Sequence, residues 1–279
     1  MRSFGKCRKS EVIVPDRVFL KGRVVGIDSN AFRDNTTLKS IVIPESVVSI
    51  GDYAFMSCDS LETVVLPQSL QTIGRGAFKN CQKLKSIIIP SRLNSIPNDA
   101  FAYCASLECI DLKHVRSIGE YAFAYCGALT DIVLAEDLKM IKATSFLDSA
   151  YYKRDENWSG GILCLDKWVI GSKGPCDEYV IKSDTVGIAA GIFDNEWHIK
   201  HKRNPIYDLL LEEREISMVC PQVPTPDLSS TPEFLEEITP AKIRYEGTSS
   251  EWDKVIKLIG ENTIISTIVT VDNTITAYL

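Results

Sequence analysis

The chain has 279 residues, a formal net charge of −6 and a hydrophobic fraction of 45%. That length accommodates one long domain or two smaller ones, with ample apolar residue for a core. The acidic balance argues against a nucleic-acid partner, and the absence of any run of about 18 apolar residues argues against a membrane span.

Residues 1–10 are basic without an apolar stretch behind them, so no signal peptide is read there. Val12-Ile13-Val14-Pro15 then resembles the repeats that follow but carries extra residues before Ile27, and residues 1–26 are expected to form an N-terminal cap turn. From there the chain keeps a ruler. The pair Ala-Phe recurs at Phe32, Phe55, Phe78, Phe101 and Phe123, with Ser145-Phe146 as a sixth copy, at spacings of 23, 23, 23, 22 and 23 residues. A fixed period of this size means stacked supersecondary units.

Each copy repeats more than the pair. Ile stands five residues before Phe (Ile27, Ile50, Ile73, Ile96, Ile118, Ile141), and Leu stands six after it (Leu38, Leu61, Leu84, Leu107, Leu129). Two alternating apolar positions follow, such as Val64 and Leu66 or Ile87 and Ile89. This alternation predicts a short strand with one buried face. Pro44, Pro67 and Pro90 end three of these strands, because proline offers no ladder donor. All strands are then parallel rungs of one coil, and a single unit is too small to stand without its neighbours. Gly51, Gly74 and Gly119 follow the Ile, which suggests a positive φ; Pro97 occupies the same slot, so that conformation is not required in every repeat.

Three residues after each Phe sits a small polar side chain: Asn35, Cys58, Cys81, Cys104, Cys126 and Ser149. These residues share small size and a donor able to reach a neighbouring backbone carbonyl. Stacked side chains point in parallel, which disfavours disulfide geometry, so the four cysteines are expected to be reduced and buried. A Cys164–Cys176 link is left open.

Regular repeats are expected over 27–150. Residues 161–172 read as an inserted hairpin, and the repeat resumes at Tyr179, Ile188 and Phe193, giving a segment 151–197. Residues 198–240 form an irregular region, with a basic loop at 198–204, a short helix expected over 207–215 and a Pro-rich stretch at 221–232. Residues 241–279 are expected to be a C-terminal cap of strand, turn, short helix and further strands.

The alternation also predicts which side chains face out. Val42, Val65, Ile88, Asp111 and Val133 form one row, extended by Ile13 and Val180 if the flanking turns are in register, and Ser40, Thr63, Ser86, Cys109 and Asp131 form the next. An apolar stripe beside a hydroxyl stripe is either a binding surface or simply what strands prefer. One row further, Lys39, Glu62, Lys85 and Glu108 alternate in sign and are expected to stack as register support.

A catalytic or metal-binding constellation is not legible. The chain has no Gly-rich phosphate loop, no H-E-x-x-H and no CxxC pair. His198 and His201 fall in the basic loop with no carboxylate motif beside them, and Cys109 and His114 are not expected to meet. No cofactor and no metal are expected. Asn35-Thr-Thr and Asn157-Trp-Ser are glycosylation sequons, relevant only in a eukaryotic secretory route.

At residues 50–67 (Ile-Gly-Asp-Tyr-Ala-Phe-Met-Ser-Cys-Asp-Ser-Leu-Glu-Thr-Val-Val-Leu-Pro) and 73–90 the chain resembles the BspA-like leucine-rich repeat family, and the segment 245–252 resembles a terminal segment common in such proteins. The resemblance implies a mostly-β α/β solenoid, a right-handed superhelix with a parallel concave sheet. It implies a non-enzymatic recognition or adhesion module at the cell surface or secreted, binding a protein or glycan, host or matrix, as a monomer. The alternative is an intracellular or structural scaffold whose partner site lies after Phe193.

Overall fold

The computed structural model describes residues 9–18, 22–172, 179–192, 241–254, 256–257, 265–269 and 274–275. Phe193, His198, His201, Cys176, and the expected helix and Pro-rich stretch lie outside them. The described chain is a mostly-β parallel solenoid. Its helices are short: Ala150–Lys153, a 3-10 turn at Asp155–Asn157, and Ser249–Trp252.

Two ladders run along the coil. The first joins Glu11–Ile13, Ser40–Val42 and Thr63–Val65, then separately Cys109–Leu112 and Asp131–Leu134. The second joins Gly26–Ile27, Ser49–Ile50 and Thr72–Ile73, then separately Ser95–Ile96, Ser117–Ile118 and Met140–Ile141. All these pairings are parallel. The N-terminal turn is thus already in register with the repeats, Val12 lying opposite Ile41.

Between the ladders lies the Ala-Phe corner. The backbone N–H of the first five corner Phe residues donates to the carbonyl one repeat on: Phe32 to Ala54, Phe55 to Ala77, Phe78 to Ala100, Phe101 to Ala122 and Phe123 to Ser145, at 2.7–2.8 Å. The rings follow the backbone. Phe32, Phe55, Phe78, Phe101, Phe123 and Phe146 form one column with centroids 5.1–5.3 Å apart and planes within 8° of parallel. That separation sits inside the favourable range for aromatic pairs. Ala54, Ala77, Ala100 and Ala122 are fully buried beside the rings, where a larger side chain has no room.

The corner needs left-handed backbone at two slots that the apolar pattern does not reveal. Two residues before Phe, Asn30, Tyr53, Gly76, Asp99 and Tyr121 have φ between 54° and 60°; two residues after it, Asp34, Ser57, Asn80, Tyr103, Tyr125 and Asp148 have φ between 55° and 62°. By contrast Gly51, Gly74 and Gly119 do not have positive φ. Their reason is close approach. A Cβ at Gly74 would stand 2.3 Å from the Asp52 backbone nitrogen, and one at Gly51 would stand 2.4 Å from that of Ser29.

The cysteine slot is filled as its chemistry requires. Cys58, Cys81, Cys104 and Cys126 are unbridged and buried, and each thiol donates to the carbonyl of the preceding repeat's phenylalanine (Phe32, Phe55, Phe78 and Phe101) at 3.1–3.2 Å. At the ends of the column the slot changes use. The Asn35 side chain accepts from the Thr37 and Leu38 N–H groups. Ser149 caps the helix Ala150–Lys153 through Tyr152.

That helix opens a variant turn. Trp158–Ser159, Ile162–Leu165 and Trp168–Ser172 form an antiparallel hairpin sheet, and Trp168–Ser172 then pairs in parallel with Gly187–Ile188. The coil continues beyond it. Ala241–Tyr245 pairs in parallel with Tyr179–Ile181, and Ile256–Lys257 with Gly187–Ile188, so these two strands extend the parallel pairing of the coil. Thr274–Ile275 returns antiparallel on Ile265–Val269 and is the outermost strand of that sheet.

Neither ladder is continuous. Residues 86–89 keep the alternation of exposed and buried side chains but pair with neither neighbour, and Thr72–Ile73 does not pair with Ser95–Ile96. Pro97 lies beside the second gap. In two other repeats this slot donates across the ladder, Gly51 to the Ile27 carbonyl and Gly119 to that of Ile96. Pro97 has no N–H, and its ring occupies space that the glycines leave clear.

Two outcomes follow. Phe78→Ala, in the middle of the column, is expected to cost about 3–5 kcal/mol in urea unfolding, the range for a buried large-to-small change. The second concerns the thiols. Burial raises Cys58 and Cys104 from 9.0 to about 12 and lifts Cys81 and Cys126 well above 9.0. The folded thiols therefore stay protonated where unfolded ones ionise, and stability present below pH 9.0 is lost as pH climbs toward about 12. At mildly alkaline pH iodoacetamide should label exposed Cys109 and spare these four; equal labelling by peptide mass spectrometry would contradict the burial.

Candidate binding surface

The outward row of the first ladder is built by register. Ile13 lies opposite Val42, Val42 opposite Val65, and Asp111 opposite Val133. Because alternate side chains of a strand point to opposite faces, pairing these residues places them on one face. Fractional exposure is 79% at Ile13, 40% at Val42, 48% at Val65, 80% at Ile88 and 46% at Val133. Val180 is only half-buried. Four successive rungs therefore show an apolar side chain to solvent. Ile88 does so from the unpaired rung at 86–89.

Asp111 interrupts the row. Its carboxylate accepts from the Lys113 N–H at 3.0 Å and pairs with the Lys113 ammonium at 2.9 Å. The Lys113 side chain holds the Asp111 carboxyl below the usual carboxylate value, so Asp111 is charged at neutral pH. The adjoining row is polar: Ser40 is half-buried, and Thr63, Ser86, Cys109 and Asp131 are exposed.

The third row differs from its expected role. Among the described residues no ion pair joins Lys39 to Glu62 or Lys85 to Glu108, although all four are exposed. Register is held there by the backbone instead. Glu62 N–H donates to the Lys39 carbonyl at 2.8 Å and Glu108 N–H to the Lys85 carbonyl at 3.0 Å. Exposed pairs contribute too little to compete with side-chain entropy.

An ionic cluster lies at the Phe corner. Asp99, nearly enclosed, receives Arg75 at 3.0 Å and Lys79 at 2.9 Å, and Lys79 also stands 5.7 Å from the centre of the Tyr103 ring. Tyr103 stacks on Tyr125 at 4.5 Å. Sequence reasoning missed this cluster, because its members come from two repeats and share no slot. The sequon asparagines are likewise engaged, Asn157 donating to the Tyr151 carbonyl at 2.8 Å. Among the described residues, no group of three or more His, Cys, Asp or Glu could hold a metal ion, and no helix is long and apolar enough to cross a membrane.

Comparison with known proteins agrees with this geometry. The BspA type leucine rich repeat region matches in six copies over residues 25–153. No curated protein matches the chain. A leucine rich cell surface protein of Faecalibacterium prausnitzii has a similar fold, with a TM-score of 0.51, 20% identity and 68% of each chain covered. The leucine rich repeat protein of T. pallidum gives 0.49 at 23% identity, covering 75% of this chain and 85% of its own. The pneumococcal vaccine antigen PcpA gives 0.45 at 23%, covering 69% of this chain and 54% of its own. With its ring column, its buried thiols and its paired ladders, this parallel solenoid is thus similar over residues 25–153 to the BspA type leucine rich repeat region.

Proposed function

We propose that the protein is a non-enzymatic recognition module that binds a protein partner through the outward row of its first ladder, the concave face of the solenoid. The observation that carries this reading is the apolar run Ile13, Val42, Val65 and Ile88 on successive rungs. Contiguous exposed apolar side chains beside a polar rim are characteristic of interaction surfaces. A scaffold of parallel rungs presents them rigidly, so little conformational entropy is lost on docking. The polar row Ser40, Thr63 and Ser86 supplies hydroxyls along one edge, and Asp111, Asp131 and Val133 continue the surface past the charged break.

A role in adhesion at the cell surface accords with this reading. The F. prausnitzii protein of similar fold is described as a cell surface protein, and PcpA as a vaccine antigen. The apolar character of the row favours a protein over a glycan as its partner.

The test is capture of binding partners from a panel of extracellular-matrix proteins and, in parallel, from cell lysate. A matrix protein retained by the native chain should be lost at least about tenfold with Val65→Lys and Ile88→Lys combined, equivalent to about 1.4 kcal/mol. The urea midpoint of the double variant should be unchanged, since both side chains already face solvent. Retention by the variant at native affinity would reject the row. Capture from lysate alone would reject the surface role.

A further inference from the structure

The gap in the second ladder coincides with a groove of about 690 Å³, bordered by Gln71 and Thr72 on one turn and Asn94 on the next. The slot two residues before the repeat isoleucine is otherwise bonded along the coil. Val48 donates to the Val25 carbonyl, Gln71 to Val48, Arg116 to Asn94, and Lys139 to Arg116. Among the described residues Asn94 N–H makes no such bond to the Gln71 carbonyl. A backbone donor, a backbone acceptor and two side-chain amides therefore border the same opening.

The lining is also basic: Arg92, Lys113 and Arg116 join His114 there, against a single carboxylate, Asp137. This concentration of positive charge stands out in a chain whose net charge is −6. Arg116 pairs with Asp137 at 2.8 Å, and Lys113 with Asp111 at 2.9 Å, but all four side chains are more than half exposed. Exposed pairs of this kind are worth at most about 1 kcal/mol, so a stronger anion can displace them. Arg92 and His114 are in no ion pair among the described residues.

We propose that this groove binds an acidic saccharide. The guanidinium groups of Arg92 and Arg116 offer paired donors matched to a carboxylate or sulfate. The amides of Gln71 and Asn94 and the hydroxyl of Thr72 both donate and accept, as sugar hydroxyls require. The opening lies where Thr72–Ile73 and Ser95–Ile96 do not pair. The site is separate from the apolar row, and its test is independent of that reading.

The experiment is calorimetric titration of the full chain at low salt with trigalacturonate, a heparin tetrasaccharide, neutral maltotriose and inorganic sulfate. At least one acidic sugar should bind, and maltotriose and sulfate should bind at least about tenfold more weakly. Binding should weaken with added salt. Arg92→Ser combined with Arg116→Ser should reduce affinity at least about tenfold while leaving the melting temperature in place, and Val65→Lys should leave affinity unchanged. A preference for trigalacturonate or for the heparin fragment identifies carboxylate or sulfate as the bound group. Failure of both acidic sugars to bind, or binding untouched by the double variant, would overturn the proposal. So would sulfate binding as tightly as the tetrasaccharide, which would mark an adventitious ion only.

Discussion

The hydrogen bond from the N–H of five corner phenylalanines to the alanine or serine carbonyl of the next repeat is the constraint on which the rest depends. It ties one turn to its neighbour at the corner between the two ladders. With the backbones so linked, the rings stack one per turn, 5.1–5.3 Å apart. The residue before Phe must be small, and the residue three after it must fit beside the ring and satisfy a carbonyl. A thiol does both, and the enclosure that accepts it also keeps it protonated.

Departures from the repeat are local and have consequences beside them. Proline in a slot that holds glycine in both adjacent repeats has no N–H and adds a ring where the glycines allow close approach, and the second ladder parts there. The same region gathers basic side chains from two successive turns. The first ladder parts one rung away, so Ile88 stands more exposed than Val65 although the two occupy the same slot. A regular scaffold thus acquires distinct surfaces through one or two substitutions in its pattern, without change to its core.

Period and alternation made the coil, its buried face and its outward rows legible, because burial acts on side chains that recur at fixed offsets. The resumed strands at Tyr179 and Gly187 were readable for the same reason. The left-handed slots were not read, although six of the eleven residues there are Asn, Asp or Gly, the types that tolerate that backbone. Tyrosine at four of the other positions and serine at the fifth, Ser57, obscured the signal. Glycine beside the repeat isoleucine was traced to conformation when the reason was proximity, which only neighbouring turns reveal. The Asp99 cluster and the basic groove were invisible for a related reason: both are assembled from different slots on different turns.

Where residues 241–245 lie against 179–181, two neighbouring rungs are separated by some sixty positions of chain instead of one period. The Tyr245 hydroxyl reaching the Ser183 carbonyl, 62 residues away, belongs to the same seam. Closing so long a span costs only about 0.9 kcal/mol more than closing an ordinary period, since the entropy of closure grows with the logarithm of length. The coil can therefore carry a long excursion at this seam with little thermodynamic penalty. The strands Ala241–Tyr245 and Ile256–Lys257 nonetheless join through contacts of far longer sequence separation than the regular repeats, which places them late in folding.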